Sequence, residues 1–135
     1  LPLFTQYRKD HFTRLSSFFA KYEQYFVLPQ QHDDVVTNWL AFPLTIKEGA
    51  PFTRYELTRH LEEKDIQTRP IFTGNVLRQP AYKHLLDSQP VKSFPVADDI
   101  MKNGFVIGCH QGLQTEQLEY LEKTVADFIE SNIAA

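Results

Sequence analysis

The chain has 135 residues, a length typical of one domain, and it combines 42% hydrophobic residues with a formal net charge of −3. No lysine or arginine run provides the electrostatic footprint of a nucleic-acid-binding protein, and no apolar run approaches the ~20 residues of a membrane span. The single cysteine, Cys109, cannot form an internal disulfide or a thiolate metal cage, which suits a reducing cytoplasm.

The first third of the chain predicts a helix followed by a strand. From Phe4 to about Tyr25, apolar residues recur at intervals of three and four with charged residues between them, which predicts an amphipathic helix. A polar loop is predicted over residues 30–37. The apolar run over residues 39–46 predicts a strand, and Pro43 predicts that this strand lies at a sheet edge or carries a bulge.

The second helix has the clearest start signal in the sequence. Thr53 followed three residues later by Glu56 is the pattern of a capping box. The helix is expected to end near residues 64–65. Extended structure should resume over residues 66–72, because Pro70 disfavours helical backbone at the residue before it.

The second half of the chain alternates loops with short regular elements. The predicted elements are, in order, a loop over residues 73–80, a short helix over 81–86, a loop over 88–94, a helix over 95–103, a strand over 105–108 and a helix over 115–133. About three short strands separated by helices predict an α/β fold in which a small sheet is covered by helices.

The segment over residues 68–80 concentrates polar side chains between apolar ones. Arg69, Arg78, Asn75 and Gln79 lie within it, and arginine forks bind phosphate or carboxylate groups. Gly74 would allow the close approach of a ligand or of another backbone. The same residues also fit a β-hairpin whose two-residue turn is Gly74-Asn75. The residue pattern alone leaves the binding loop and the hairpin equally open.

Patterns for catalysis and metal binding are weak. Cys109 beside His110 pairs a thiol with a base, which is the pattern of a stand-alone hydrolase. Adjacent side chains usually point apart, however, and no third group orients these two, so a structural role is favoured. The five histidines lack the spacing of metal ligands, so no metal site is expected. Asp98 and Asp99 are interpreted as acids at a helix start.

The run TRPIFTGNVLRQPAY, over residues 68–82, resembles the C-terminal domain of the DegT/DnrJ/EryC1/StrS sugar aminotransferase family. Within that family it is most similar to the branch of CDP-4-keto-6-deoxy-D-glucose 3-dehydrases of lipopolysaccharide biosynthesis. The resemblance continues in NWLAFPLTIKEGAPFTRYELTRHLEEKDI, FPVADDIMKNGFVIGCHQGLQTEQLEYL and LPLFTQYRKDHFTRL. Several spaced motifs therefore agree in order over nearly the whole chain.

The resemblance implies a fold-type-I pyridoxal-phosphate enzyme that acts as a homodimer. In such enzymes a large domain holds the cofactor, and a small domain with a mostly antiparallel sheet closes over it. Residues 1–135 would be that small domain, and a start at Leu1, without Met or a signal peptide, fits an excised piece. The catalytic groups would lie in the large domain, so this chain alone is expected to be inactive and to bind no cofactor.

The resemblance also implies a reaction and a set of site residues. The aminotransferase branch has a histidine where this chain has Phe72, and a phenyl ring cannot carry a proton. The implied enzyme is a dehydratase that uses pyridoxamine phosphate to remove the sugar 3-hydroxyl. Some such enzymes carry an upstream [2Fe-2S] cluster that a reductase partner supplies with electrons. Phe72 is expected near the cofactor or sugar ring, and Arg69, Asn75, Arg78 and Gln79 are expected to contact the nucleotide sugar or the partner subunit.

Two other functions stay open at this point. One is a sugar aminotransferase of the same family. The other is a stand-alone protein-interaction module, in which the apolar surface that would meet a large domain meets a separate partner instead.

Overall fold

The structure is a computed structural model that describes residues 1–72, 74–82, 84–85 and 93–134. Its helices are α1 (Pro2–Ala20), α2 (Arg54–Glu62), α3 (Pro95–Asn103) and α4 (Thr115–Ile133). Its strands are β1 (Phe26–Val27), β2 (Ala41–Ile46), β3 (Thr68–Pro70) and β4 (Gly104–Gly108). Two single 3-10 turns, Val76–Arg78 and Pro80–Tyr82, lie between β3 and α3.

The strands form one antiparallel sheet in the order β1-β2-β4-β3. This confirms the predicted α/β fold with a small antiparallel sheet covered by helices. β2 pairs along its length with β4, from Ala41 opposite Gly108 to Thr45 opposite Gly104. β1 pairs only with the last two residues of β2, so at Pro43 the strand β2 has a neighbour on one side alone. The expectation that Pro43 requires an edge is therefore met locally.

The end of α1 and the strand β1 differ from the prediction. α1 ends at Ala20, and the next five residues form turns that lead into β1. Tyr22 and Tyr25 lie in these turns and still pack against the core, so the apolar spacing continues beyond the helix. β1 itself has two residues, too few for any alternation pattern, and it is defined by its pairing with Thr45 and Ile46.

Aromatic rings run continuously through the core. Neighbouring ring centroids lie 5.3–5.9 Å apart along the path Phe12, Phe42, Phe19, Phe26, Phe52 and Phe128, which leads from α1 through the sheet to α4. Rings at these distances add to the stability gained from burial alone. Six of the eleven phenylalanines of the sequence are thereby explained as core residues.

Both ends of α2 are specified by local hydrogen bonds. The backbone N–H of Glu56 donates to the hydroxyl of Thr53 at 3.3 Å, and the N–H of Thr53 donates to the Glu56 carboxylate at 2.7 Å, which confirms the capping box. After the helix, Asp65 has a left-handed φ of 60°. The N–H of the next residue, Ile66, donates to the carbonyl of Leu61 at 2.9 Å, as in a Schellman motif. This turn sends the chain into β3.

The predicted bounds of α3 and α4 are confirmed, and Gly104 directly follows the last residue of α3. Its φ is −86°, so no left-handed backbone is involved. A Cβ at Gly104 would lie 2.5 Å from the carbonyl oxygen of Ile100, which leaves room for glycine alone. Glycine is therefore required here because the chain leaves α3 close to the carbonyl oxygen of Ile100.

Predictions for the segment between β3 and α3 are met only in part. The hairpin alternative is wrong, because Val76–Arg78 form a 3-10 turn instead of a second strand. Of the short helix predicted over residues 81–86, His84 and Leu85 are helical, whereas residues 83 and 86 lie outside the described residues. The loop predicted over 88–94 lies outside them as well, except for residues 93 and 94, which have no regular structure.

Candidate functional site: the loop after β3

Phe72 lies at a sharp turn directly after β3. The N–H of Gly74 donates to the carbonyl of Ile71 at 3.1 Å. Phe72 has a positive φ of 47°, and it is 93% exposed. Such a backbone costs a bulky residue about 1–3 kcal/mol, and the exposed ring gains no burial within the chain in return. The Phe72 side chain therefore projects from the surface of the chain, and its backbone carries the strain.

Gly74 brings the loop against α3. Its φ is +69°, and a Cβ placed on it would lie 2.2 Å from the Cβ of Met101 and 2.4 Å from the Met101 Cα. Two heavy atoms cannot approach so closely without a shift of backbone. The close approach expected at Gly74 is thus to the backbone of a helix, and only glycine fits.

Asn75 is buried, with 5% of its surface exposed. Its side-chain Nδ2 donates to Oδ1 of Asp98 at 2.9 Å, and its Oδ1 accepts the N–H of Leu77 at 3.1 Å. Asn75 thereby caps the 3-10 turn Val76–Arg78. Both the amino group and the oxygen of the Asn75 side-chain amide are therefore hydrogen-bonded within the chain.

Arg78 is engaged by the same carboxylate. Its Nε donates to Asp98 Oδ1 at 2.8 Å and its Nη2 donates to Oδ2 at 2.6 Å, which is a bidentate pair. The hydrogen bonds from Arg78, and next those from Asn75, lower the pKa of Asp98 to about 2. The same pair raises the pKa of Arg78. Asp98 therefore stays ionised and paired across the physiological range.

Arg69 lies on β3 and is exposed. Its Nη1 donates to the carbonyl of Thr68 at 2.9 Å. Thr68 is itself fixed by Glu62, whose carboxylate accepts the Thr68 N–H at 2.5 Å and hydroxyl at 2.8 Å. These hydrogen bonds lower the pKa of Glu62. The start of β3, and with it Arg69, is therefore anchored to the end of α2.

A shallow groove of about 220 Å³ runs beside Arg69. Its lining consists of Arg54, Tyr55, Thr58, Thr68, Arg69, Pro70 and Phe105. Two arginines line the groove, and the Glu62 carboxylate that binds Thr68 lies close enough to Arg69 for Coulombic attraction.

Gln79 ends the 3-10 turn and is half-buried. Its backbone N–H donates to the carbonyl of Val76 at 3.0 Å. Its side-chain amide makes no hydrogen bond with any described residue.

The structure divides the predicted site residues into two groups. Asn75 and Arg78 meet at Asp98, whereas Arg69, Phe72 and Gln79 keep their functional groups at the surface. Asp98 lies in the first turn of α3, as expected of an acid at a helix start. Its bonds to the loop were missed, because partners 20 and 23 residues away leave no local signal in the sequence.

Cys109 and His110 do not form a thiol–base pair in the described part of the chain. Cys109 is fully buried, its Sγ lies 3.8 Å from the carbonyl of Arg8, and burial raises the pKa of its thiol to about 11. His110 instead accepts the N–H of Gly112 at its Nδ1, 3.1 Å away. Cys109 is thus a buried core residue, and a protonated buried thiol is a poor nucleophile.

The described residues contain no group of three or more His, Cys, Asp or Glu side chains able to hold a metal ion. None of the helices described here is both long and apolar enough to cross a membrane.

Comparison with known proteins identifies the class to which this fold and loop belong. Residues 1–126 match the DegT/DnrJ/EryC1/StrS aminotransferase family, and the chain belongs to that family. This confirms the resemblance found in the sequence, including its similarity to 3-dehydratases. Family members are pyridoxal-phosphate-dependent sugar 3-dehydratases and aminotransferases.

Individual members of the family are similar to this chain in sequence and in structure. The chain is 33% identical over 129 residues to the lipopolysaccharide biosynthesis protein RfbH of Salmonella typhimurium, covering 96% of this chain and 29% of that protein. It is 32% identical over 121 residues to the GDP-4-keto-6-deoxy-D-mannose 3-dehydratase of Yersinia pseudotuberculosis, covering 90% and 30%. The Escherichia coli GDP-4-keto-6-deoxy-D-mannose-3-dehydratase with bound hydrated PLP matches with a TM-score of 0.71 and 25% identity, covering 92% and 31%. The chain thus spans less than a third of each relative.

The described residues around the loop lack some of the groups that hold pyridoxal phosphate. Such a site needs a lysine or comparable group at the aldehyde and a partner for the pyridine nitrogen. Phe72 offers a flat apolar surface and Arg69 a cation, but the groove beside Arg69 has no lysine, histidine or carboxylate among its described lining residues. These described residues therefore do not form a complete cofactor site.

Proposed function

We propose that this chain is the C-terminal small domain of a nucleotide-sugar 3-dehydratase of lipopolysaccharide deoxysugar biosynthesis and forms one wall of its active site. Membership of the family over residues 1–126 and the similarity to named 3-dehydratases support this proposal. The observation that carries it is Phe72, an exposed and strained aromatic residue at the position where the resemblance implies a histidine in aminotransferases.

The chain's own residues bind and orient in this proposal. When bound, the pyridoxal or pyridoxamine phosphate cofactor supplies an electron sink for charge that develops beside the sugar carbonyl. The Phe72 ring covers the cofactor or sugar ring and excludes water, and it offers no proton where a histidine would. Arg69 contributes planar donors for the phosphates of the nucleotide, and Gln79 contributes a neutral amide.

Asn75 and Arg78 take a supporting part in the same wall. Their side chains bond to Asp98 and shape the loop from which Phe72 and Gln79 project. The sequence predicts them as substrate contacts, and the proposal keeps them at the site in this indirect way.

The remaining parts of the proposal concern the intact enzyme. The cofactor is bound mainly by a large domain outside this chain, and the enzyme is a homodimer that acts on a nucleotide sugar. An upstream [2Fe-2S] cluster with a reductase partner is the form that the CDP-sugar branch would take. The buried, reduced Cys109 agrees with a cytoplasmic location.

The test is to identify the product of the native polypeptide that contains this chain. The purified protein is incubated with cofactor, glutamate and either a GDP- or a CDP-4-keto-6-deoxyhexose, with a reductase added in parallel reactions. The proposal predicts a sugar that has lost its 3-hydroxyl, detected by mass spectrometry. An amino sugar that retains the 3-hydroxyl would establish an aminotransferase instead. No turnover by a polypeptide of this chain's own length would favour the interaction module.

A further inference from the structure

Three hydrogen bonds join the loop after β3 to one carboxylate. Asn75 donates one to Asp98 at 2.9 Å, and Arg78 donates two at 2.8 and 2.6 Å. We call these three bonds the Asp98 clasp. They use both oxygens of Asp98, and they connect two loop residues with the first turn of α3.

A second contact lies one turn further along the same helix. Met101 follows Asp98 by three residues, so the two lie on one face of α3. Gly74 approaches the Met101 backbone too closely for any other residue. The loop therefore docks on α3 through two adjacent points, one polar and one steric.

The clasp also sets the internal structure of the loop. Asn75 Oδ1 accepts the N–H of Leu77, and the Asn75 carbonyl accepts the N–H of Arg78 at 3.0 Å. Asn75 thus both binds Asp98 and caps the 3-10 turn Val76–Arg78. Phe72 precedes Gly74 by two positions and Gln79 directly follows Arg78, so both proposed contacts flank the clasp.

We propose that Asp98 is a positioning residue for the active site, acting on Phe72 and Gln79 through the clasp; this rests on the function proposed above. An exposed ring on a strained backbone has no packing of its own to fix it, so its direction depends on the neighbouring anchors. Reactions are sensitive to such placement, since a shift of ~1 Å can cost ~100-fold in rate. The guanidinium of Arg78 is already occupied by its two bonds to Asp98. Arg78 therefore acts by holding Asp98 and does not contact the substrate separately.

The experiment compares Asp98→Asn with Asp99→Asn in the native polypeptide that contains this chain. Both variants remove one negative charge from the same helical turn. Among the described residues, the Asp99 carboxylate accepts a side-chain hydrogen bond only from Asn103 within α3, at 2.6 Å, so Asp99→Asn leaves the clasp intact. Hydrogen exchange of the loop amides reports the clasp, and the kcat and KM of sugar dehydration report the positioning.

We expect Asp98→Asn to speed exchange at Leu77 and Arg78 and to lower kcat about tenfold or more, with a smaller change in KM. Asp99→Asn should change neither. Adding Arg78→Ala to Asp98→Asn should cause no further loss, because Asp98→Asn already breaks the bonds that Arg78 makes in the clasp. The charge swap Asp98→Arg with Arg78→Asp should recover part of the kcat lost by either single change.

Several results would overturn the inference. Unchanged exchange in Asp98→Asn would show that the clasp does not hold the loop, and faster exchange with unchanged kcat would show that the site does not depend on it. A double variant much worse than either single one would give Arg78 its own contact with the substrate. Absence of sugar dehydration in the unaltered enzyme would defeat the proposed function and the positioning role, whereas the exchange rates would still decide whether the clasp forms.

Discussion

Arg14 on α1 and Glu122 on α4 form a bidentate ion pair between the first and last helices of the chain. The Arg14 Nε lies 2.7 Å from Glu122 Oε1, and Nη2 lies 2.8 Å from Oε2. Their side chains are 31% and 21% exposed, so solvent screens the pair only in part. The hydrogen bond to Glu122 is the main reason that the pKa of Arg14 is raised.

Replacing Arg14 by alanine should lower the free energy of unfolding by about 1 kcal/mol, because the fork loses two partly shielded bonds. The matched control is Lys123→Ala, which breaks a single bond to Asp127 between side chains that are 73% and 59% exposed. That control should stay within about 0.5 kcal/mol of the unaltered chain in urea titrations. Equal losses of unfolding free energy in Arg14→Ala and Lys123→Ala would show that the Arg14–Glu122 pair stabilises the fold no more than an exposed pair does.

Gly74→Ala should lower the free energy of unfolding more than Gly49→Ala does. Both glycines have positive φ values, +69° and +86°, so both substitutions carry the strain of a left-handed backbone, about 1 kcal/mol. A Cβ at Gly49 would meet nothing within 4 Å, whereas one at Gly74 would overlap Met101. We expect an additional loss of about 1–3 kcal/mol for Gly74→Ala, measured by chemical denaturation. Equal losses would show that the loop can move away from α3 without cost.

Phe72→Asn should leave the domain as stable as before or make it more stable by up to about 1 kcal/mol. Asparagine tolerates the φ of 47° better than phenylalanine does, and the 93% exposed ring contributes no burial that could be lost. Thermal unfolding of the two forms provides the comparison. A clear loss of stability would mean that the ring supports the fold, and the idea that it is held for an external contact would then fail.

Cys109 should react slowly with iodoacetamide at pH 8 in the folded chain and rapidly in denaturant. Burial raises the pKa of its thiol from 9.0 to about 11, and only the thiolate is a nucleophile. Because the unfolded chain loses this proton first, the contribution of the buried thiol to stability is present below pH 9 and is lost as pH rises toward 11. Cys109→Ala should remove that part of the alkaline slope. Fast labelling of the folded chain at pH 8 would contradict the buried position.

Local signals in the sequence predicted most of the fold. The capping box at Thr53 and Glu56 and the apolar periodicity of α4 are short-range features, and the structure confirms them. β1 could not be found, because two residues become a strand only through pairing with Thr45 and Ile46. The end of α1 was placed too late, since the turn after it continues the apolar spacing.

The candidate site shows the same division between local and distant information. The density of polar residues after β3 identified the loop, and the resemblance singled out Phe72. The partner of Asn75 and Arg78 could not be predicted, because Asp98 lies 23 and 20 residues further along the chain and its contact depends on the packing of α3. The hairpin alternative failed for a related reason, since Asn75 caps a 3-10 turn instead of entering a strand.

The most direct test of the proposed wall is the kcat/KM for removal of the sugar 3-hydroxyl by Phe72→Ala in the native enzyme. Tyr120→Ala is the matched control, because this aromatic residue is 50% exposed but lies on α4, outside the loop after β3. We predict that Phe72→Ala lowers kcat/KM by about tenfold or more and that Tyr120→Ala leaves it unchanged. An unchanged kcat/KM in Phe72→Ala would contradict the claim that this surface forms part of the active site.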